Sequence, residues 1–223
     1  MKTAMRGLIV LAVPLVLIVL TVRLLTWPWF PAWEYRRPGF PEDVYGLQRA
    51  DRLRLARACI TFLNLPHDVK RLERLRLPNG EPAFTAEEVQ HMSDVKRVYD
   101  GVTTVGLLAL VVGFSAGWAL YRRGEVAALW GGLSDGALLT LVLLVALGGV
   151  MLFSWDAFFT GFHRVFFEEG TWRFRYSDTL IRLFPMRFWR DAGLILAGAV
   201  SLSAFVLALM GRMLQRRLEG RLS

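Results

Sequence analysis

The chain has 223 residues, is 54% apolar and carries a formal net charge of +8. So much apolar sequence in long uncharged runs excludes an ordinary soluble domain. The basic excess does not form one continuous face, so nucleic acid is excluded as a partner. The arginines flank apolar runs and fill loops, the pattern of cations beside anionic lipid headgroups.

Four runs, residues 7–26, 101–121, 136–155 and 192–211, are long enough to cross a hydrocarbon core of about 30 Å as helices. The expected fold class is an all-α membrane protein with four transmembrane helices. Its small mixed α/β extracytoplasmic domain is built from two long outer loops, residues 27–100 and 156–191. Lys2 and Arg6 precede the first run, which has the length of a retained signal anchor and carries Pro14. Trp27, Trp29 and Trp33 follow it as an interfacial belt.

The first outer loop opens with a predicted helix over residues 41–64, with Glu42 and Asp43 in its first turn. Its apolar positions Val44, Leu47, Leu55, Ala58 and Phe62 alternate with Arg49, Arg52, Arg54 and Arg57, a basic amphipathic pattern suited to a bilayer surface or to packing within the outer domain. Cys59, the single cysteine, excludes an intrachain disulfide and reads as a packed thiol. His67 reads as a loop residue. Pro78-Asn79-Gly80 is a turn signal that predicts a small hairpin between residues 74–77 and 81–84.

Thr85 and Glu88 have capping-box spacing, so a helix starts there. Along that helix Glu87, Glu88, His91 and Asp94 fall at three- and four-residue steps, and their carboxylates are expected to orient His91 and favour imidazolium. A helix running straight into the second span lifts His91 about 15 Å above the span's start, at 1.5 Å per residue.

Arg122 and Arg123 occupy the short connection, residues 122–135, and Arg212, Arg216, Arg217 and Arg221 the tail, residues 212–223. With the basic start of the chain they define the cytoplasmic side. The two long loops then face outward, and both termini face the cytoplasm.

Asp156 to Phe167 is unusually greasy, with Phe159, Phe162, Phe166 and Phe167 around His163. The third helix is expected to continue past Asp156 and to carry His163 about 10 Å beyond the span. The phenylalanines then line a path for acyl chains, and Arg164 meets a headgroup, the substrate backbone or a developing oxyanion. Residues 172–176 alternate apolar and basic, the period of a half-buried strand. Imidazole exchanges protons near neutral pH without special tuning. Two of them at one lipid–water boundary point to chemistry on a membrane-anchored substrate. His91 and His163 are the catalytic candidates. Glu88, Asp94, Asp156, Phe159, Arg164 and Phe167 are the substrate-binding candidates, and no residue is assigned to a metal.

The stretch Phe84-Thr-Ala-Glu-Glu-Val-Gln-His-Met-Ser-Asp-Val-Lys96 resembles the first motif of the bacterial lipoprotein intramolecular transacylase family. So do Asp156-Ala-Phe-Phe-Thr-Gly-Phe-His163, Phe166-Phe167, Trp172 and Asp178-Thr-Leu-Ile-Arg-Leu-Phe-Pro185, with Phe188 and Asp191. The resemblance implies a four-span enzyme of the bacterial cytoplasmic membrane acting on diacylated lipoproteins among membrane lipids. It moves the sn-2 acyl chain of an S-diacylglyceryl cysteine to that residue's own α-amino group, leaving an N-acyl, lyso-form lipoprotein. His91 and His163 take the catalytic positions. Ester-to-amide transfer runs downhill, so no cofactor is expected. The pair acts either as base and acid or through an acyl-imidazole.

Two other classes fit parts of the pattern. A metal-dependent membrane hydrolase would use His91, Asp94, Glu88 and His163 as ligands, but no zincin spacing is present. A non-enzymatic lipid- or lipoprotein-binding protein would use the basic loop and the aromatic belt. The spans hold no ionisable relay beyond Arg23, which disfavours a transporter, and no aspartate pair, which disfavours a signal peptidase.

Overall fold

The computed structural model describes residues 1–66 and 68–220; His67 and Arg221 lie outside the described residues. Among the described residues nine helices form, in chain order: α1 Lys2–Leu25, α2 Trp29–Glu34, α3 Arg49–Asn64, α4 Lys70–Glu73, α5 Ala86–Arg122, α6 Val126–Phe153, α7 Trp155–Phe166, α8 Thr179–Leu183 and α9 Met186–Glu219. Four of them, α1, α5, α6 and α9, contain stretches long and apolar enough to cross a membrane. The protein is a multi-pass membrane protein. Its contacts divide it into one unit of residues 1–22, 102–158 and 195–223, and another of residues 23–101 and 159–194.

The first unit is a helix bundle joined by small residues. Ile9, Val13, Ala116, Leu120, Ala128, Ala137, Ala204 and Ala208 form its buried core. Where burial in lipid supplies no hydrophobic drive, close backbone approach does the work. A methyl group on Gly211 would stand 2.8 Å from the Trp130 carbonyl oxygen, and one on Gly136 2.8 Å from the Val13 side chain. Both helix crossings therefore require glycine. The charged side chains cluster at one end: Arg6 pairs with Asp135, Arg212 approaches the same carboxylate at 3.7 Å, and Lys2 pairs with Glu125.

The second unit has a core of Leu47, Leu55, Cys59, Phe62, Leu72, Ala83, Phe84, Val89, Met92, Leu180 and Leu183. Among the described residues it contains no strand, so the expected mixed α/β domain is corrected to an all-helical one with long irregular segments. The Pro78-Asn79-Gly80 turn does form. Gly80 takes φ +87°, and Leu77 N–H and Ala83 N–H donate to the Glu81 and Leu75 carbonyls at 2.9 Å each. Only one bridge, between Arg76 and Pro82, results, because proline has no N–H to extend a ladder. Residues 172–176 keep the alternation, with Trp172 buried and Arg173 and Arg175 exposed, but find no partner strand.

The helix expected from residue 41 starts at Arg49. Gly46 at φ +91° breaks the approach, and the Asp43 carboxylate closes a turn by accepting from Leu47 N–H at 2.6 Å. Asp51, not Glu42 or Asp43, is the acid of the first turn. Arg52, one of the basic positions of the expected amphipathic helix, is 5% exposed. It donates to the Arg182 carbonyl at 2.7 and 3.1 Å and to the Pro41 carbonyl at 2.9 Å, and lies over the Tyr35 ring. Beside it Arg182 and Asp43 form a two-bonded pair at 3.0 Å. Burial works against the Asp43 carboxylate, but Arg182 and the Leu47 N–H outweigh it and hold the carboxyl below its usual range.

Candidate active site

The site is assembled within the second unit from the start of α5, the second half of α7 and the segment that follows. Thr85 and Glu88 form the expected capping box: Thr85 N–H donates to Glu88 Oε2 at 2.8 Å, and Glu88 N–H to Thr85 Oγ1 at 3.2 Å. From there α5 runs without a break through Arg122, and the apolar, uncharged part begins only at Gly101. His91 therefore sits on the charged portion that precedes the span.

α7 is a separate helix rather than a continuation of the third span. Ser154, at φ −161° and ψ 104°, ends α6, and its hydroxyl accepts from Ala157 N–H at 3.1 Å to start α7. Asp156 is exposed in the first turn, where the helix dipole favours a carboxylate. Past α7, Gly170 at φ +93° turns the chain back, and Thr171 N–H closes the turn on the Glu168 carbonyl at 3.2 Å. The returning segment brings Trp172 and Phe174 onto the two histidines.

Both imidazoles pack against one ring, Phe167, with centroids 5.2 Å away for His91 and 5.5 Å for His163. His91 also meets Phe174 at 5.2 Å. His163 meets Phe159 at 4.1 Å and Trp172 at 4.8 Å. The two histidines of the sequence motifs thus share one aromatic chamber, together with Phe159 and Phe167 from the substrate-binding candidates. Trp172, quoted in the motif resemblance and in a strand pattern, and Phe174, assigned only to that strand pattern, complete it; the motif and the alternation were the available signals.

Each imidazole has a defined electrostatic setting. His163 Nδ1 lies 2.7 Å from the Phe159 carbonyl oxygen. A carbonyl can only accept, so Nδ1 carries the hydrogen and Nε2 of the neutral ring keeps its lone pair. Burial lowers the pKa of His163, although the Phe159 carbonyl opposes that shift. Burial, reinforced by the proximity of His163, pushes His91 down to about 4 against the pull of Asp94. Both rings are neutral at neutral pH, which corrects the expectation that carboxylates hold His91 as imidazolium. His91 Nδ1 is buried without a partner. A buried unmet N–H is rarer than an unmet acceptor, so the hydrogen of His91 belongs on Nε2.

The carboxylates explain the correction. Glu87 is exposed. Glu88 is 1% exposed, and its Oε1 accepts from Leu180 N–H at 2.6 Å while Oε2 serves the capping box. It fastens α8 to α5 rather than facing His91. Asp94 is engaged by Gln90 at 3.3 Å and Arg97 at 3.4 Å. Arg164 is exposed and pairs with Glu169 at 3.6 Å. Cys59 is buried, and burial pushes its thiol up, away from nucleophilic use. Among the described residues no three His, Cys, Asp or Glu side chains converge to hold a metal ion.

Comparison with known proteins agrees with the motifs. An uncharacterized protein of Aquifex aeolicus (strain VF5) is 33% identical over 222 residues, covering 99% of each chain. The solved structure of the membrane integral lipoprotein intramolecular transacylase Lit from Bacillus cereus matches with a TM-score of 0.79 at 20% identity, over 100% of this chain and 99% of that one. A variant of that protein with a histidine-to-alanine mutation matches with a TM-score of 0.78 at 18% identity, over 100% of this chain and 96% of the other. Residues 7–189 match the family described as lipoprotein intramolecular transacylase Lit. The chain belongs to that family, and it is an acyltransferase that modifies lipoproteins.

Proposed function

We propose that His91 and His163 carry the acyl shift, from the sn-2 oxygen of an S-diacylglyceryl cysteine to that cysteine's α-amino group. The observation that supports this most is the shared Phe167 chamber, which joins the two histidines of separate motifs beside phenylalanines suited to an acyl chain.

The steps follow from the tautomers. The α-ammonium group has a reference pKa of about 7.7–8.0, so much of it is free amine at slightly alkaline pH. As the amine attacks the ester carbonyl, the Nε2 lone pair of His163 takes its proton. The C–N bond forms, a tetrahedral oxyanion appears, and the C–O bond to glycerol then breaks. The proton returns from His163 to the departing glycerol oxygen. His91, with its hydrogen on Nε2, donates to the reacting oxygens. The amine and the ester belong to one molecule, so holding both ends converts proximity into rate. The same Nε2 of His163 suits attack on the ester to give an acyl-imidazole, the alternative route.

In this reading Glu88 positions α8, Asp94 tempers the burial of His91, Phe159 and Phe167 contact the acyl chain, and Asp156 and Arg164 meet polar parts of the substrate. The site faces the outer leaflet of the bacterial cytoplasmic membrane, with both termini in the cytoplasm and the surrounding membrane lipids as partners.

The experiment is the N-terminal structure of a reporter lipoprotein isolated from cells with and without the protein. An intramolecular shift leaves the intact lipopeptide mass unchanged. Fragmentation mass spectrometry is therefore required. The expected product has one acyl chain on nitrogen and one on glycerol; a reporter retaining both chains on glycerol and a free amine would contradict the proposal.

A further inference from the structure

We infer that Trp172 is a further catalytic residue: its indole N–H binds the carbonyl oxygen of the acyl group and holds the oxyanion that forms there. The inference rests on the acyl shift at His91 and His163 and adds the group that meets the developing charge.

Three observations carry it. Trp172 is only 9% exposed, and its Nε1 is buried without an acceptor. Its ring lies against His163, centroid to centroid 4.8 Å, and against Phe159 at 6.4 Å, so it belongs to the wall of the chamber where the base acts. The nearby cations do not take that place: Arg164 is exposed and paired with Glu169, and Arg173, whose guanidinium lies over the Trp172 ring, is exposed.

An indole nitrogen is a donor only, with no second way to be satisfied. A buried donor left unmet weighs against folding, and such groups are rare in proteins. A phenylalanine would fill an apolar wall without that cost. A tryptophan whose N–H waits beside the base is accounted for when the acceptor arrives with the substrate. Ester attack converts the carbonyl oxygen into an alkoxide, and a fixed donor in a water-poor chamber interacts far more strongly with the second than with the first. No proton changes hands at this residue: the N–H bond persists, the negative charge forms on the carbonyl oxygen and collapses when the glycerol C–O bond breaks.

The test replaces Trp172 with β-(3-benzothienyl)alanine, which exchanges N–H for sulfur at nearly constant shape, and in parallel makes Trp172→Phe. Purified protein in lipid nanodiscs is assayed on a synthetic diacylglyceryl-cysteine lipopeptide. Removal of one oxyanion donor lowers kcat by about 10²–10³-fold. KM and the thermal unfolding temperature of the benzothienyl form stay close to those of the parent, a separation that loss of packing would not produce. A benzothienyl protein within threefold of the parent kcat would overturn the inference. His163→Asn is assayed alongside. If it is inactive while the benzothienyl protein is fully active, the histidine assignment stands and only the role of Trp172 falls. If His163→Asn itself keeps full activity, both fall.

Discussion

His163 holds its Nδ1 hydrogen on the Phe159 carbonyl oxygen, 2.7 Å away and one helical turn back in α7. The bond fixes the ring and leaves Nε2 as the free basic atom, in a protein that also keeps the ring neutral by burial. The pH–rate profile follows. With His163 below the ordinary imidazole range, its lone pair is available throughout neutral pH. The acid limb of kcat/KM then belongs to the substrate amine, rising through about 7.7–8.0 to a plateau. An inflection near 6.5 instead would show that an ordinary histidine titration limits the reaction.

The buried His91 sets a stability dependence of opposite origin. Its pKa is about 4 in the folded protein and 6.5 when unperturbed. The unfolded state binds the proton more readily, so the stability present above 6.5 is lost as pH falls from 6.5 toward 4, by about 3 kcal/mol at most. His91→Gln, which cannot titrate there, flattens that part of the profile. Thermal unfolding in detergent between pH 7 and 4, compared for parent and variant, measures it.

Glu88 holds two elements at once through two separate oxygens. Glu88→Ala leaves the N–H groups of Leu180 and Thr85 unmet and costs roughly 2–4 kcal/mol. Glu88→Gln keeps one acceptor oxygen and loses about half as much. Unfolding temperatures ordered parent, Gln, Ala support the positioning role; equal values for all three would remove it.

Asp43 and Arg182 form a pair whose side chains are 1% and 9% exposed. Removing one partner strands a buried charge, so Asp43→Ala destabilises by about 3–5 kcal/mol. The Asp43 carboxyl is held below its usual range, so the pair persists at mildly acid pH and fails only as pH drops through that lowered value. Limited proteolysis across that range reads out loosening of α8 and the preceding loop.

The spans were legible in the sequence because one variable, the length of uncharged apolar sequence, decides them. The start of α5 was legible because Thr85 and Glu88 carry their own local hydrogen bonds. The second unit was less so. Residues 172–176 have a strand's alternation, but that period records which side is buried and says nothing of a neighbouring strand. Trp172 and Phe174 use it to face the histidines. The hairpin fails beyond one bridge because of Pro82, and the helix expected at residue 41 is delayed by Gly46. Arg52 was hidden because its acceptors, the carbonyls of Pro41 and Arg182, are backbone atoms that no side-chain pattern reveals. The histidine charge state is not legible for a similar reason: Glu88 has the right spacing from His91, but Leu180, far along the chain, claims its oxygen, and burial keeps the ring neutral.

The central claim is that both imidazoles serve one acyl shift. It is tested most directly by incubating purified His91→Ala and His163→Ala proteins, each matched in thermal stability to the parent, with a diacylglyceryl-cysteine lipopeptide and locating the acyl chain by fragmentation mass spectrometry. The account predicts that the parent places one chain on nitrogen and that each variant leaves both chains on glycerol, with rates down by at least about 10²-fold. Appearance of the N-acyl, lyso product at parental rates in both variants would contradict it.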